Sequence, residues 1–277
     1  METKDFVIDT IKHKKELSGI DSKFIEDLLD KYISKNNGIW AKIISHPRLD
    51  KSRELKILVK DIRKILREIH GAFNIDINKR KKLIAELEIL VKANAPQNEL
   101  EEVHKQLLLT HKSTRERLPY YCEIYKRIFE ITGKPISILD IASGLNPMSI
   151  IFMGITNVKY VAMELTQEDC DFLKDYFEIM HINGTAIKMN LIEQQDFPKT
   201  DVCFVFKALD SLEAIERNIS KKILEHINSK YIIVSFPKKT LSGKELGTKR
   251  LSWFKKLAKN PVVFEVENEI FYLIQNK

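Results

Sequence analysis

The chain has 277 residues, 44% of them hydrophobic, and a formal net charge of +7, which excludes a disordered chain and allows one large domain or two smaller ones. No apolar run approaches the roughly 20 residues that span a bilayer, and the opening METKDFVIDTIKHKKEL has neither a signal-peptide apolar core nor the acid-poor character of a transit peptide. Cys122, Cys170 and Cys203 are far apart, and neither they nor the histidines show metal-ligand spacing, so a metal-free protein of a reducing cytoplasm is expected, with no membrane partner.

The charge is unevenly spread. Residues 1–120 hold 25 Lys and Arg against 19 Asp and Glu, whereas residues 121–277 hold 21 against 20. A second basic island, residues 231–260, has eight Lys or Arg and a single acid, Glu245. Basic islands suit a phosphate-rich partner, and a merely solvated surface is the other reading that charge alone allows.

In chain order, the first 110 residues read as helical. Phe24, Ile25, Leu28, Leu29, Tyr32 and Ile33 recur at helical spacing behind Ser22, which is expected to cap the helix. Leu55, Leu58, Ile62, Ile65, Leu66 and Ile69 share one face of a helix that ends at Gly71. Leu83, Leu87, Leu90 and Val91 repeat the pattern, Pro96 stops it, and NELEEVHKQLLLTH forms a further helix. A helical domain over 1–110 and a second domain over 111–277 are the expected division.

After residue 133 the rhythm changes. Short β-rich runs at 137–141, 159–164, 185–190, 201–207 and 231–237 alternate with helical stretches, which predicts a parallel sheet with right-handed crossovers. The closing PVVFEVENEIFYLIQN is two apolar runs around a short polar break, a β-hairpin whose last strand is antiparallel. The sum is an α/β, Rossmann-like sheet of seven strands.

In open α/β sheets, ligands sit beyond the carboxyl ends of the strands at the topological switch point. There lies ILDIASGLNPMSIIFMG, residues 138–154, where Gly144 permits close backbone approach and helix amides suit an anion, although a plain strand–helix turn fits equally well. Glu164 ends the second strand 20 residues after Gly144, where an acid can accept both hydroxyls of a ribose. Asn190 ends the third strand, as an adenine reader or an ordinary turn residue. HKSTRERLP, residues 111–119, offers Ser113 and Glu116 at capping-box spacing and Arg115 as a guanidinium at the mouth of the site. SFPKKTLSGKELGTKR, residues 235–250, places Lys238, Lys239, Lys244, Lys249 and Arg250 beyond the fifth strand, which favours contact with RNA phosphates.

HKSTRERLP, ILDIASGLNP and SFPKKTLSGK, in this order, resemble the aminoglycoside-resistance 16S rRNA methyltransferases of the Arm/Rmt and Sgm/Kgm type. The similarity runs from about residue 105 to the C-terminus, and the helical part is similar in layout. It implies a class I S-adenosylmethionine-dependent methyltransferase that modifies ring nitrogen 7 of a decoding-site guanine in the 30S subunit. By the same resemblance, Arg115 would hold the methionine carboxylate beside the backbone of Ala142 and Gly144. Glu164 would bind the ribose, and Asn190 and Leu191 would flank the adenine. Lys207 would stand near the reaction centre, and Lys239 would face the target nucleotide. The family usually has Asp where Glu164 and Asn190 stand, and often Arg where Lys239 stands; Lys cannot reproduce the bidentate geometry of Arg. Nitrogen 7 carries no proton, so no general base is expected, only alignment and a flipped base. Rival readings are methylation of another rRNA position, such as adenine nitrogen 1, and a non-catalytic ribosome-assembly factor with a degenerate fold. A monomer is the default.

Overall fold

The β-rich runs after residue 133 fold into one seven-stranded sheet: β1 (Ser137–Ile141), β2 (Lys159–Glu164), β3 (Gly184–Lys188), β4 (Thr200–Phe206), β5 (Ser229–Pro237), β6 (Val262–Val266) and β7 (Glu269–Gln275). Its order is β3-β2-β1-β4-β5-β7-β6. The first five strands pair in parallel; β7 runs antiparallel to both β5 and β6, as the terminal hairpin predicts. The computed structural model describes residues 3–71, 73, 75–193, 195–240 and 243–276, so Leu241 and Ser242 of the basic loop lie outside the described residues.

Both faces of the sheet are buried, and strand alternation divides the apolar residues between them. Ile138, Tyr160, Ala162, Phe204 and Phe271 belong to one core. Their neighbours Leu139, Val161, Met163, Val205 and Tyr272 belong to the other. The first core also takes Leu83 and Leu87 from α5 (Ile77–Lys92), and Val103 and Leu107 from α6 (Gln97–Leu109). That packing moves the division of the chain. The compact units are Met1–Asn74 and Ile75–Lys277, so the boundary expected at residue 110 falls instead ahead of α5. The helical rhythm of 77–109 says nothing about which core its leucines enter.

In the first unit, α1 (Thr3–Lys12), α2 (Ser22–Lys35), α3 (Ile39–Ile44) and α4 (Arg53–Leu66) bury Val7, Ile11, Ile25, Leu29, Leu58 and Ile62. The cap of α2 is Asp21 rather than Ser22, because the Asp21 carboxylate accepts the Lys23 amide at 2.8 Å and Ser22 is already helical. Ser52 caps α4, accepting the Leu55 amide at 3.2 Å. In the second unit, α7 (Lys112–Arg117) and α8 (Tyr121–Thr132) flank a 3₁₀ turn at Leu118–Tyr120 that holds Pro119. Then come α9 (Gln167–Ile179), α10 (Leu209–Ile215), α11 (Ile219–His226) and α12 (Ser252–Leu257). Among the described residues no helix is long and apolar enough to cross a membrane.

Candidate active site

The sheet changes direction of build between β1 and β4, so the switch point lies over their carboxyl ends. The residues that follow these two strands, Ala142 and Lys207, both have left-handed backbone, at φ 52° and 56°. Such conformations cost non-glycine residues on the order of 1 kcal/mol and persist only where surrounding bonds hold them. Here the next residue, the Ser143 amide, donates to the Met163 carbonyl at 3.2 Å, and the Lys207 amide to the Ser235 carbonyl and hydroxyl at 3.1 and 3.2 Å. The crevice is thus lined by sharply turned backbone on both sides.

On the β1–β2 side, Gly144 has φ +55°, which favours glycine, and the His111 ring packs over it, so that a Cβ there would lie 2.9 Å from His111 Cε1. Asn146 begins the short 3₁₀ helix Asn146–Phe152. Glu164 is buried, not a solvated strand end: its carboxylate accepts the Gly144 and Leu165 amides. Burial pushes its carboxyl up to about 8, Asp169 adds to the rise, and the two amides oppose it. Asp169 in turn lies 3.8 Å from the buried guanidinium of Arg80 on α5. Arg115 is exposed on α7, one helical turn after His111. β3 ends at Lys188, so Asn190 lies two residues past it; its side-chain oxygen accepts the Ile192 amide at 3.1 Å, the ordinary turn role. Leu191 is 8% exposed and enters the second core.

On the β4–β5–β7 side, the sequence reading missed most of the chemistry. Because β7 is reversed, its first residue Glu269 pairs with Pro237 at the same edge where β4 and β5 end. Arg117 Nε donates to both Glu269 oxygens at 3.1 and 3.0 Å, and the Ser235 hydroxyl donates to the same carboxylate. The Lys207 ammonium lies 3.1 Å from Glu269 and 2.7 Å from Glu116. Burial alone would raise Glu269, but Arg117 and Lys207 outweigh it and hold its carboxyl below the usual range. Burial likewise opposes the charge of Arg117, and Glu269 more than restores it. The Arg117 guanidinium also sits 4.9 Å over the Phe206 ring and donates to Asn146 Oδ1 at 3.1 Å. Asn146 Nδ2 donates in turn to Asp140, which also accepts the Tyr160 hydroxyl. Asp140 is raised to about 6 by burial, against those two hydrogen bonds and Arg117.

The capping box expected of Ser113 and Glu116 does not form. His111 occupies the cap position without a side-chain bond to the helix amides, Ser113 accepts from Arg117, and Glu116 pairs with Lys207. Arg117 and Glu269 are 152 residues apart in sequence. The only local sign was the buried acid at the start of an apolar strand, EIFYLIQ.

The basic loop is partly spoken for. Lys238 pairs with Glu265 at 2.8 Å and Lys239 with Glu245 at 3.7 Å, while Arg250 bonds Asp210 and the Pro237 carbonyl. Among the described residues Lys244 and Lys249 are exposed and in no ion pair.

A seven-stranded sheet with one reversed strand, a glycine turn after β1 and an acid ending β2 define a class I methyltransferase fold. The chemistry of the donor set fits S-adenosylmethionine: a carboxylate at Glu164 that can accept hydroxyls, backbone amides in the turn after β1, and the apolar side chain of Leu191, with the His111 ring packed over Gly144. Residues 50–255 match the family described as Ribosomal RNA methyltransferase (FmrO), and the chain belongs to that family. A 16S rRNA (guanine(1405)-N(7))-methyltransferase of Proteus mirabilis is 31% identical over 69% of this chain and 72% of its own length. One of Micromonospora rosea is 30% identical over 52% of this chain and 53% of its own. Among solved structures, the 16S rRNA methyltransferase RmtF in complex with S-adenosyl-L-homocysteine superposes with a TM-score of 0.79 at 22% identity, covering 100% of this chain and 99% of that one.

Proposed function

We propose that the protein methylates ring nitrogen 7 of a decoding-site guanine of 16S rRNA, within the 30S subunit, as a monomer in the cytoplasm, and so confers aminoglycoside resistance. The observation that carries this reading is the Gly144–Glu164 turn at the β1/β4 switch point, in a chain of an rRNA methyltransferase family. A relative that carries the guanine-N7 name is 31% identical over 69% of this chain.

S-adenosylmethionine, when bound, supplies an electrophilic methyl group on a sulfonium sulfur. The chain's own residues bind, align and exclude water. Glu164 turns from the Gly144 amide to accept ribose hydroxyls. Arg115 draws the methionine carboxylate to the mouth, beside the backbone of Ala142 and Gly144. Asn190 and Leu191 bound the adenine, Asn190 through its amide nitrogen since its oxygen caps the turn. Lys207, fixed at the end of β4, stands where the target base arrives. Nitrogen 7 attacks with its lone pair and loses no proton, so no base is required, and alignment supplies the rate.

RNA docking falls to two basic regions. The first unit holds a cavity of about 400 Å³ lined by Lys14, Lys56, Lys60, Arg63 and Arg67, with Asp50. The second is the loop after β5, where Lys244 and Lys249 reach phosphates directly and Lys238, Lys239 and Arg250 exchange acidic partners for them or hold the loop's shape. The test is tritiated-methyl transfer to purified 30S subunits, followed by mapping of the modified nucleotide. Label at guanine nitrogen 7 supports the reading; transfer to an adenine, or none with the cofactor bound, rejects it.

A further inference from the structure

Four charges meet at the β4 end of the crevice: Lys207 and Arg117 against Glu269 and Glu116. Three are sealed, with side chains 6%, 2% and 1% exposed for Lys207, Arg117 and Glu269. Glu116 is the exception at 33%, so it is the member of the four that reaches the open side. The pairs balance. Glu269 is already committed to Arg117, Ser235 and Lys207, so removing the Glu116 charge leaves one cation without compensation beside the switch point.

That balance matters for the proposed reaction, on which this inference rests. The nitrogen 7 lone pair forms the new N–CH₃ bond, the S–CH₃ bond breaks, and its electron pair stays on sulfur. No proton moves. The positive charge therefore leaves the sulfur, which becomes a neutral thioether, and appears on the purine. An uncompensated ammonium next to the arriving base would oppose the charge that develops in the transition state, and around the sealed Lys207 side chain that field is only partly screened.

We infer that Glu116 is a positioning residue for methyl transfer: by pairing with Lys207 it keeps the target side of the crevice neutral, so that a purine cation can form there. It acts through Lys207 and the local field rather than by touching the base. This gives HKSTRERLP a second duty, since its Arg115 serves the cofactor while its Glu116 serves the base.

The experiment uses the full chain, purified 30S subunits, and S-adenosylhomocysteine as the cofactor-site probe. Glu116→Gln is expected to lower the single-turnover rate about tenfold, which is the effect of one charge at modest distance in a partly screened site. Its affinity for S-adenosylhomocysteine by calorimetry stays within about twofold. Its affinity for subunits already methylated at the target, which carry the purine cation, falls more than its affinity for unmethylated subunits. Glu116→Asp, which keeps the charge one methylene further back, gives an intermediate rate; it also carries the test should Glu116→Gln melt early. An unchanged rate, an equal loss of S-adenosylhomocysteine affinity, or equal loss for both kinds of subunit would overturn the inference. Mapping the wild-type product separates this from the underlying reading: methylation at adenine nitrogen 1 rejects the guanine target, yet that product is also a cation and leaves the role of Glu116 standing.

Discussion

The two sides of the crevice solve the same electrostatic problem in opposite ways. On the β1–β2 side the buried acid Glu164 rests on backbone amides, and burial raises its carboxyl to about 8. On the β4–β7 side a buried acid, Glu269, is met by two cations that pull it below the usual carboxylate range. Acids of the same type, both buried, are thus driven apart by their neighbours, as pairs of carboxylates in active sites often are. The second is held in its charged form by Arg117 and Lys207. A carboxylate held by backbone amides alone stays open to other donors, whereas one held between two cations is fixed in place.

The sharpest way to break that comparison is Glu269→Ala. It strands the buried Arg117 and takes from Lys207 one of its two carboxylate partners, and breaking a buried pair typically costs about 3–5 kcal/mol. Urea denaturation should show a loss of that size, together with loss of transfer activity. A cost below about 1 kcal/mol would mean the network is not the scaffold described here.

Gly144→Ala comes next. The substitution places a Cβ at φ +55° and against His111, and should cost about 1–2 kcal/mol while weakening S-adenosylhomocysteine binding severely. A variant that keeps wild-type affinity would show that the cofactor does not approach this backbone.

Glu164→Gln tests the sign of the pH dependence. A carboxyl raised on folding contributes stability below its unfolded value, near 4.5, and that contribution is lost as pH rises through about 8. The stability of the wild type should therefore fall between about pH 5 and 8 relative to Glu164→Gln, by at most about 1.4 kcal/mol per pH unit, read as a falling melting temperature. Cofactor affinity runs the other way. Ribose hydroxyls need the ionised acceptor, so wild-type affinity should rise between pH 7 and 9 and that of Glu164→Gln should stay flat and low.

The smallest effect on the fold is expected at Lys244 and Lys249. Replacing each with Glu should change stability by less than about 0.5 kcal/mol. It should leave S-adenosylhomocysteine affinity unchanged and weaken 30S binding. Lys→Ala at either position should reduce the slope of log affinity against log salt by about one. Equal loss of cofactor and subunit affinity would erase the division between a cofactor side and an RNA side.

How much of this was legible in the chain follows from how local each signal is. Strand and helix periods, the turn at Gly144 and the acid ending β2 are written in runs of a few residues, and the terminal hairpin needs only its polar break. These determine the seven-stranded sheet and its cofactor side, and the three ordered motifs determine the family. Three things were decided only by the tertiary structure. Helices α5 and α6 belong with the sheet, because their leucines enter its core, which a helical period cannot announce. Glu116 pairs with Lys207, 91 residues away, and no capping box forms, because α7 begins at Lys112 and Ser113 already lies inside the helix. Glu269 meets Arg117 across 152 residues, because reversing the last strand brings its first residue to the active edge. Each depends on distance in space between residues remote in sequence, and burial then makes those contacts strong enough to overrule the local pattern.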